Sequence, residues 1–311
     1  MHRRGFLATA GAGLLAGCAG GAAYQGDPTQ DWPAVGRLVD ADGLRVHAWE
    51  QGSGVPVILL HGASGNLRDF TFDLGPRIAQ SHRAIAFDRP GYGYSERPAS
   101  RGGDPAVQAR VLQAAARRMG VRRPILVGHS WGAALAMAWA LSDPDGVAGV
   151  VTVSGAVMPW STTPMLAEVI GLDQLLIGYY WDRLQSSALD GGIERFVERI
   201  FRPQDPPSGY LEHVGAPLSL RPDAVAASKE DIGTINTALR RQAPDYGRLK
   251  MPVEIVSGTA DFIIKPERQP LPFAERLRDS NVTLLDGVGH MAHHVRPDAV
   301  LDAVERLVAR A

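Results

Sequence analysis

The chain has 311 residues, 45% of them hydrophobic, a formal net charge of −1 and a single cysteine. That length buries a large core, either as one α/β domain with a lid or as two domains. The 32 Lys and Arg are interspersed with 33 Asp and Glu, which excludes a polybasic nucleic-acid surface, and one cysteine excludes an intramolecular disulfide.

The paired Arg3 and Arg4 precede an uncharged run that lasts to Asp27, and this start resembles a bacterial twin-arginine signal. Leu15-Ala16-Gly17-Cys18 resembles a lipobox, in which Cys18 becomes the lipid-modified first residue of an exported lipoprotein. Ala19 after it favours the periplasmic face of the outer membrane. Repeated glycines dilute the stretch below the ~20 strongly apolar residues of a membrane span. Residues 1–18 are therefore expected to be a signal peptide and 19–34 a flexible tether.

Arg37 to Asp40 and Leu44 to Trp49, separated by Ala41-Asp42-Gly43, read as an antiparallel hairpin at a sheet edge. Val55 to Leu60 is a continuous apolar run, expected of a strand covered on both faces, and it ends in His61-Gly62-Ala63. Asn66 to Ser81 has helical period, and Arg83 to Phe87 is again a buried strand. The glycine-rich loop Asp88-Arg89-Pro90-Gly91-Tyr92-Gly93-Tyr94-Ser95 follows. Asp104-Pro105 supplies an N-cap and a proline at the first helical position, opening a helix that runs to Met119 and stops at Gly120.

Ile125 to Val127 is a short buried strand, and the alanine-rich run after Gly132 is a buried helix. Ser130 stands at the sharp turn between them, flanked by Gly128 and Gly132 where the two backbones must nearly touch. The spacing predicts a nucleophile elbow that lifts the serine hydroxyl above the sheet. Val147 to Val153 is one more strand, so residues 55 to 153 alternate strand and helix, the signature of a parallel sheet with helices on both faces.

From Ala156 to Leu249 the periodic segments are helical, notably Leu166 to Trp181 and Ile193 to Phe201, and predict an inserted helical cap over 156–249. The core is then 35–155 and 250–311. In it, Val253 to Val256 is a strand ending near Asp261, Pro266 to Asp279 is a proline-interrupted helix, and Val282 to Leu285 is the last strand, leading to Gly287-Val288-Gly289-His290. Pro297 to Ala309 closes the domain as an amphipathic helix.

Ser130, Asp261 and His290 thus follow successive strand ends, where ligands bind in open α/β sheets. Their order of serine, acid, histidine is that of the α/β-hydrolase superfamily, which the sequence resembles from Val35 to Ala311. His61-Gly62-Ala63 resembles that family's oxyanion loop and Asp88 to Ser95 its glycine-rich turn. The resemblance implies a mostly parallel central sheet flanked by helices, with a helical cap. It also implies a Ser-His-Asp triad, with an oxyanion hole made by the backbone N–H groups of Ala63 and Trp131. The chemistry needs the whole set. A serine hydroxyl attacks only when a neutral imidazole takes its proton, a carboxylate fixes that imidazole, and fixed donors meet the oxyanion. It needs neither cofactor nor metal.

His293 and His294 lack the Gly-x-Gly context and are expected to be structural or rim residues, and His61 and His129 to hold loop backbone. Ser154-Gly155 offers no alternative acid. Haloalkane dehalogenases and epoxide hydrolases of this fold use an aspartate nucleophile, for which Ser130 cannot stand in. The expectation is a lipid-anchored serine esterase with a small apolar ester as substrate. The alternatives are a proline iminopeptidase, whose amine-binding carboxylate would come from Glu168, Glu194, Glu198 or Glu212, a carbon–carbon bond hydrolase, a cofactor-free haloperoxidase or oxygenase, and a ligand-binding relative without catalysis.

Overall fold

The computed structural model describes residues 26–160 and 193–311. Cys18, Glu168 and the expected helix from Leu166 to Trp181 lie outside the described residues. Eight strands form one sheet: β1 (Arg37–Ala41), β2 (Leu44–Gln51), β3 (Pro56–Leu60), β4 (Arg83–Phe87), β5 (Ile125–His129), β6 (Gly149–Val153), β7 (Val253–Gly258) and β8 (Ser280–Leu285), in the order β1-β2-β4-β3-β5-β6-β7-β8. β2 pairs antiparallel with β1 and β4, and every other pairing is parallel. The hairpin therefore sits at one edge, and the continuous apolar runs occupy the middle, where both faces are covered.

Side chains on a strand alternate between faces, so β3 feeds two cores. Ile58 and Leu60 pack with Leu112, Leu135 and Trp139 on one side, whereas Val57 and Leu59 pack with Leu74, Ile78 and Val304 on the other. Each fully buried aliphatic side chain contributes about 2 kcal/mol of transfer free energy. The covering helices in chain order are α1 (Pro28–Asp31), α2 (Arg68–Thr71), α3 (Leu74–Ile78), α4 (Pro105–Arg118), α5 (Trp131–Ser142), α6 (Ile193–Phe201), α7 (Tyr210–Val214), α8 (Pro222–Gln242), α9 (Pro270–Ala274), α10 (Ala292–Val295) and α11 (Pro297–Val308). At α4 the Asp104 side chain accepts from the Ala106 amide at 3.0 Å, the N-cap that the sequence signals.

Three segments differ from the sequence reading. Asn66 to Ser81 is two short helices, α2 and α3, because Asp73 leaves helical geometry at φ −146°. Only Pro270–Ala274 is α-helical between Pro266 and Asp279, where three prolines each remove an N–H donor. Residues 27–33, expected within a flexible tether, are ordered against the fold. Asp27 caps α1, the Trp32 indole donates to the Glu212 carbonyl at 2.6 Å, and the Tyr94 hydroxyl donates to the Trp32 carbonyl at 2.5 Å.

Between β6 and β7 the described residues include the helices α6, α7 and α8 and no strand. Ile232 and Leu239 of α8 join the core under α5, while Val197, Phe201, Tyr210 and Val214 of α6 and α7 form a separate cluster with Met291, next to His290.

Candidate active site

Ser130 follows β5 with φ 51° and ψ −119°, a left-handed conformation that costs an L-residue free energy unless its surroundings impose it. They do. The Ser130 amide donates to the Val153 carbonyl at 3.0 Å, and its carbonyl accepts from Ala133 and Ala156, both at 3.0 Å. A Cβ on Gly128 would lie 2.7 Å from Ala133 Cα, and one on Gly132 would collide with the Leu60 carbonyl, so strand and helix meet at a distance only glycine permits. The strain fixes the serine at the head of α5, whose first-turn N–H groups have no intrahelical acceptor.

Asp261 and His290 are both buried and joined by an Nδ1···Oδ2 contact of 2.8 Å. The other carboxylate oxygen of Asp261 accepts from the amides of Ile263 at 2.9 Å and Ile264 at 2.8 Å, which leaves its charge paired and its plane fixed. His290 and Ser130 line one cavity of about 120 Å³ with Ala63, and the rest of its described lining is mainly apolar: Phe196, Val197, Ile200, Val214, Leu220 and Ile263. The structure thus brings Ser130 and His290 to one cavity, with Asp261 behind the histidine. It sets Ala63 in the lining and Trp131 at the first position of α5.

The other histidines near the cavity are engaged. His61 donates from Nδ1 to the Gly62 carbonyl at 2.8 Å and accepts at Nε2 from the Arg89 amide at 2.9 Å. Burial, reinforced by the nearby Arg89 charge, lowers its pKa to about 3 and keeps it neutral. His129 donates from Nε2 to the His290 carbonyl at 3.2 Å, and burial among His293 and His290 holds its pKa well below the usual range.

His293 and His294 are buried rather than on a rim, and both donate from Nε2 to one carboxylate, Asp69, at 3.0 and 2.8 Å. The Tyr210 hydroxyl donates to the same group at 2.8 Å. Against the cost of burial, the charges and hydrogen bonds of the two histidines hold Asp69 well below the ordinary carboxylate range. Asp69, His129 and His293 are close enough together to hold a cation, but both Asp69 oxygens and His293 Nε2 are already spent on hydrogen bonds.

Sequence reasoning missed Asp69, Arg89 and Asp231. Arg89 was visible inside the glycine-rich turn. Asp69 and Asp231 are acids in helical stretches, with no local signal that each would be buried.

The family model for the alpha/beta hydrolase fold matches residues 55–297. A 2-hydroxymuconate semialdehyde hydrolase of Pseudomonas putida is 26% identical over 303 residues, covering 91% of this chain and 97% of its own. Haloalkane dehalogenase 2 of Mycobacterium tuberculosis is 27% identical over 292 residues, covering 89% and 96%. Among solved structures, the 2-hydroxy-6-oxo-6-phenylhexa-2,4-dienoate hydrolase of Rhodococcus sp. strain RHA1 superposes with a TM-score of 0.71 at 19% identity, over 88% of this chain and 97% of its own. A parallel sheet with a serine elbow, and an acid and a histidine after its later strands, agrees with what the family model matches: this chain belongs to the alpha/beta hydrolase fold family.

Proposed function

We propose that the protein is a serine hydrolase acting on carboxylic esters with an apolar acyl or alcohol group. The observation that carries this reading is the Asp261–His290 pair, joined through Nδ1 at 2.8 Å, with His290 in the lining of the cavity that Ser130 also lines. His290 Nε2 takes the Ser130 proton as Oγ attacks the ester carbonyl. The backbone N–H groups of Ala63 and Trp131 receive the oxyanion, and Asp261 stabilises the imidazolium. His290 then returns the proton to the departing alkoxide, and water, deprotonated by the same ring, releases the acid from Ser130. Enclosure by the helical insertion, which we delimit at 156–249, excludes water and favours apolar groups, each buried methylene contributing about 0.8 kcal/mol.

A second reading, carbon–carbon bond hydrolysis, is favoured by the kinship with the 2-hydroxymuconate semialdehyde hydrolase. The substrate in that name is a carboxylate, and no Lys or Arg is among the described residues lining the cavity. For the iminopeptidase reading, the described candidates give no free carboxylate: Glu194, Glu198 and Glu212 are exposed and off the cavity lining, Asp69 is saturated by three donors, and Glu168 lies outside the described residues. Ser130 in place of an aspartate speaks against the dehalogenase reading.

The test is one panel on one preparation, comprising p-nitrophenyl esters from acetyl to decanoyl, 2-hydroxymuconate semialdehyde, and an alkyl fluorophosphonate with peptide mapping. The expected result is labelling at Ser130 and ester turnover that rises over several carbons before falling. Preferential turnover of the semialdehyde would replace the ester reading with the second, and absence of labelling would remove both. We also propose export and lipid anchoring through Cys18. Membrane fractionation of the wild type, and its loss in Cys18→Ser, is the expected outcome, and a soluble, unacylated wild type would refute it.

A further inference from the structure

Arg89 is completely buried and spends its donors on the loop that faces Ser130. Its Nε donates to the His61 carbonyl at 3.0 Å and its Nη2 to the Gly62 carbonyl at 3.1 Å. In a trans peptide the C=O and the following N–H point in opposite directions, so drawing the Gly62 carbonyl toward the guanidinium turns the Ala63 N–H away from it. The His61 ring adds a second donor to the same carbonyl at 2.8 Å. Gly62 is also wedged against the elbow, since a Cβ there would lie 3.2 Å from Ser130 Cβ.

The guanidinium reaches the other half of the oxyanion hole as well. Its Cζ lies 4.0 Å from the centre of the Trp131 ring and 4.4 Å from that of Tyr92. Nη1 donates to Asp231 on α8 at 2.7 Å and to Gln108 at 2.9 Å. Asp231 is fully buried and also accepts from the Tyr92 hydroxyl at 2.8 Å, Arg97 at 2.9 Å and Gln108 at 3.0 Å, while its backbone carbonyl accepts from the Trp131 indole at 3.3 Å. A single buried ion pair therefore touches the Gly62 carbonyl, in the same peptide as the Ala63 N–H, and the Trp131 side chain, and its Asp231 member lies on α8.

We propose that Arg89 is the positioning residue of the oxyanion hole, orienting the Ala63 amide through the Gly62 peptide, and that Asp231 makes this orientation depend on the seating of α8. This rests on the serine-hydrolase reading. The planar fork is essential, because a lysine ammonium keeps the charge but cannot hold the two carbonyls and Asp231 at once or stack flat between two rings.

The test compares wild type, Arg89→Lys and Asp231→Asn, with folding checked by circular dichroism and melting temperature. The readouts are kcat and KM for a p-nitrophenyl ester, the pH profile, and inhibition by an alkyl trifluoromethyl ketone, whose adduct with Ser130 places an oxyanion in the hole. Loss of one oxyanion donor lowers kcat by about 10² to 10³. The expected result is a fall of about 10² in Arg89→Lys and about tenfold in Asp231→Asn, with KM within threefold and the pH profile unmoved. The ketone inhibition constant should rise in step with the loss in kcat/KM. A folded Arg89→Lys with wild-type kcat, a loss confined to KM, or unchanged ketone inhibition overturns the proposal. If Arg89→Lys does not fold, the same readouts on Asp231→Asn decide it. A wild type that neither turns over the ester nor binds the ketone fails the hydrolase reading itself, whereas an active wild type with unimpaired variants fails this inference alone.

Discussion

Two carboxylate–histidine systems lie close together in this molecule, bridged by the ring of His129, whose centre is 4.9 Å from that of His290 and 4.3 Å from that of His293. In one, Asp261 takes the Nδ1 of a single histidine, His290, which lines a cavity together with Ser130. In the other, Asp69 takes the Nε2 of both His293 and His294 and a tyrosine hydroxyl besides, leaving the two Nδ1 atoms buried with no partner. The residue types are the same, yet only the first system has the acid's histidine partner in the lining of the cavity with Ser130. The second joins α2, α7 and α10 and has the connectivity of a structural cross-brace. Which nitrogen meets the acid, and how many donors the acid must serve, distinguishes the two arrangements.

The comparison breaks most visibly at the first system. Ser130→Ala and His290→Ala are each expected to lower kcat by about 10⁴ to 10⁶ in an ester assay, and the double variant to be scarcely worse than either, because the two act as a unit. Additive losses would show that they are not a pair. Asp261→Asn should cost on the order of 10⁴ in kcat with the fold unchanged, since the amide keeps the ring in place but favours the wrong tautomer.

Asp69→Asn should show the reverse pattern. Kcat is expected to stay within about tenfold of wild type, while denaturant unfolding shows a loss of about 2–4 kcal/mol as a buried network loses its charge. His293→Ala and His294→Ala should behave likewise and more mildly, at about 2–3 kcal/mol each, through a cavity and an unpaired carboxylate oxygen. If either loses activity as His290→Ala does while remaining folded, the division between the two systems is wrong.

The smallest effect sharpens the contrast through pH. His61 and His293 have folded pKa values near 3 and 4, lowered chiefly by burial from 6.5. Between those limits the unfolded chain binds protons that the folded one does not, so stability rises with pH. It is therefore undiminished above pH 6.5 and falls as pH drops toward 3, by about 1.4 kcal/mol per pH unit for each such histidine. Melting temperatures from pH 8 to 4 should show this decline, shallower in a folded His293→Ala. A profile flat down to pH 4 would mean that these rings are not held neutral.

The local residue pattern by itself determined the alternation of strand and helix from Val55 to Val153 and the elbow at Ser130. Period-two and period-3.6 apolar spacing, and the glycines a tight turn demands, are properties of neighbouring residues. The order Ser130, Asp261, His290 was legible for the same reason, since each residue follows the end of a recognisable strand. Only the tertiary structure decided which polar groups would meet. Asp69 on α2 and Tyr210 on α7 are 141 positions apart, and Arg89 and Asp231 are 142 apart. Nothing in the neighbours of either acid distinguishes it from a solvated helix residue. Docking of the helical insertion onto the sheet buries these charges, and a buried charge must find its partners, however distant in sequence. Tertiary contact likewise ordered residues 27–33, because the indole of Trp32 docks on the Glu212 carbonyl. It also split the helix expected from Asn66 to Ser81, where Asp73 breaks helical geometry between two turns that pack separately.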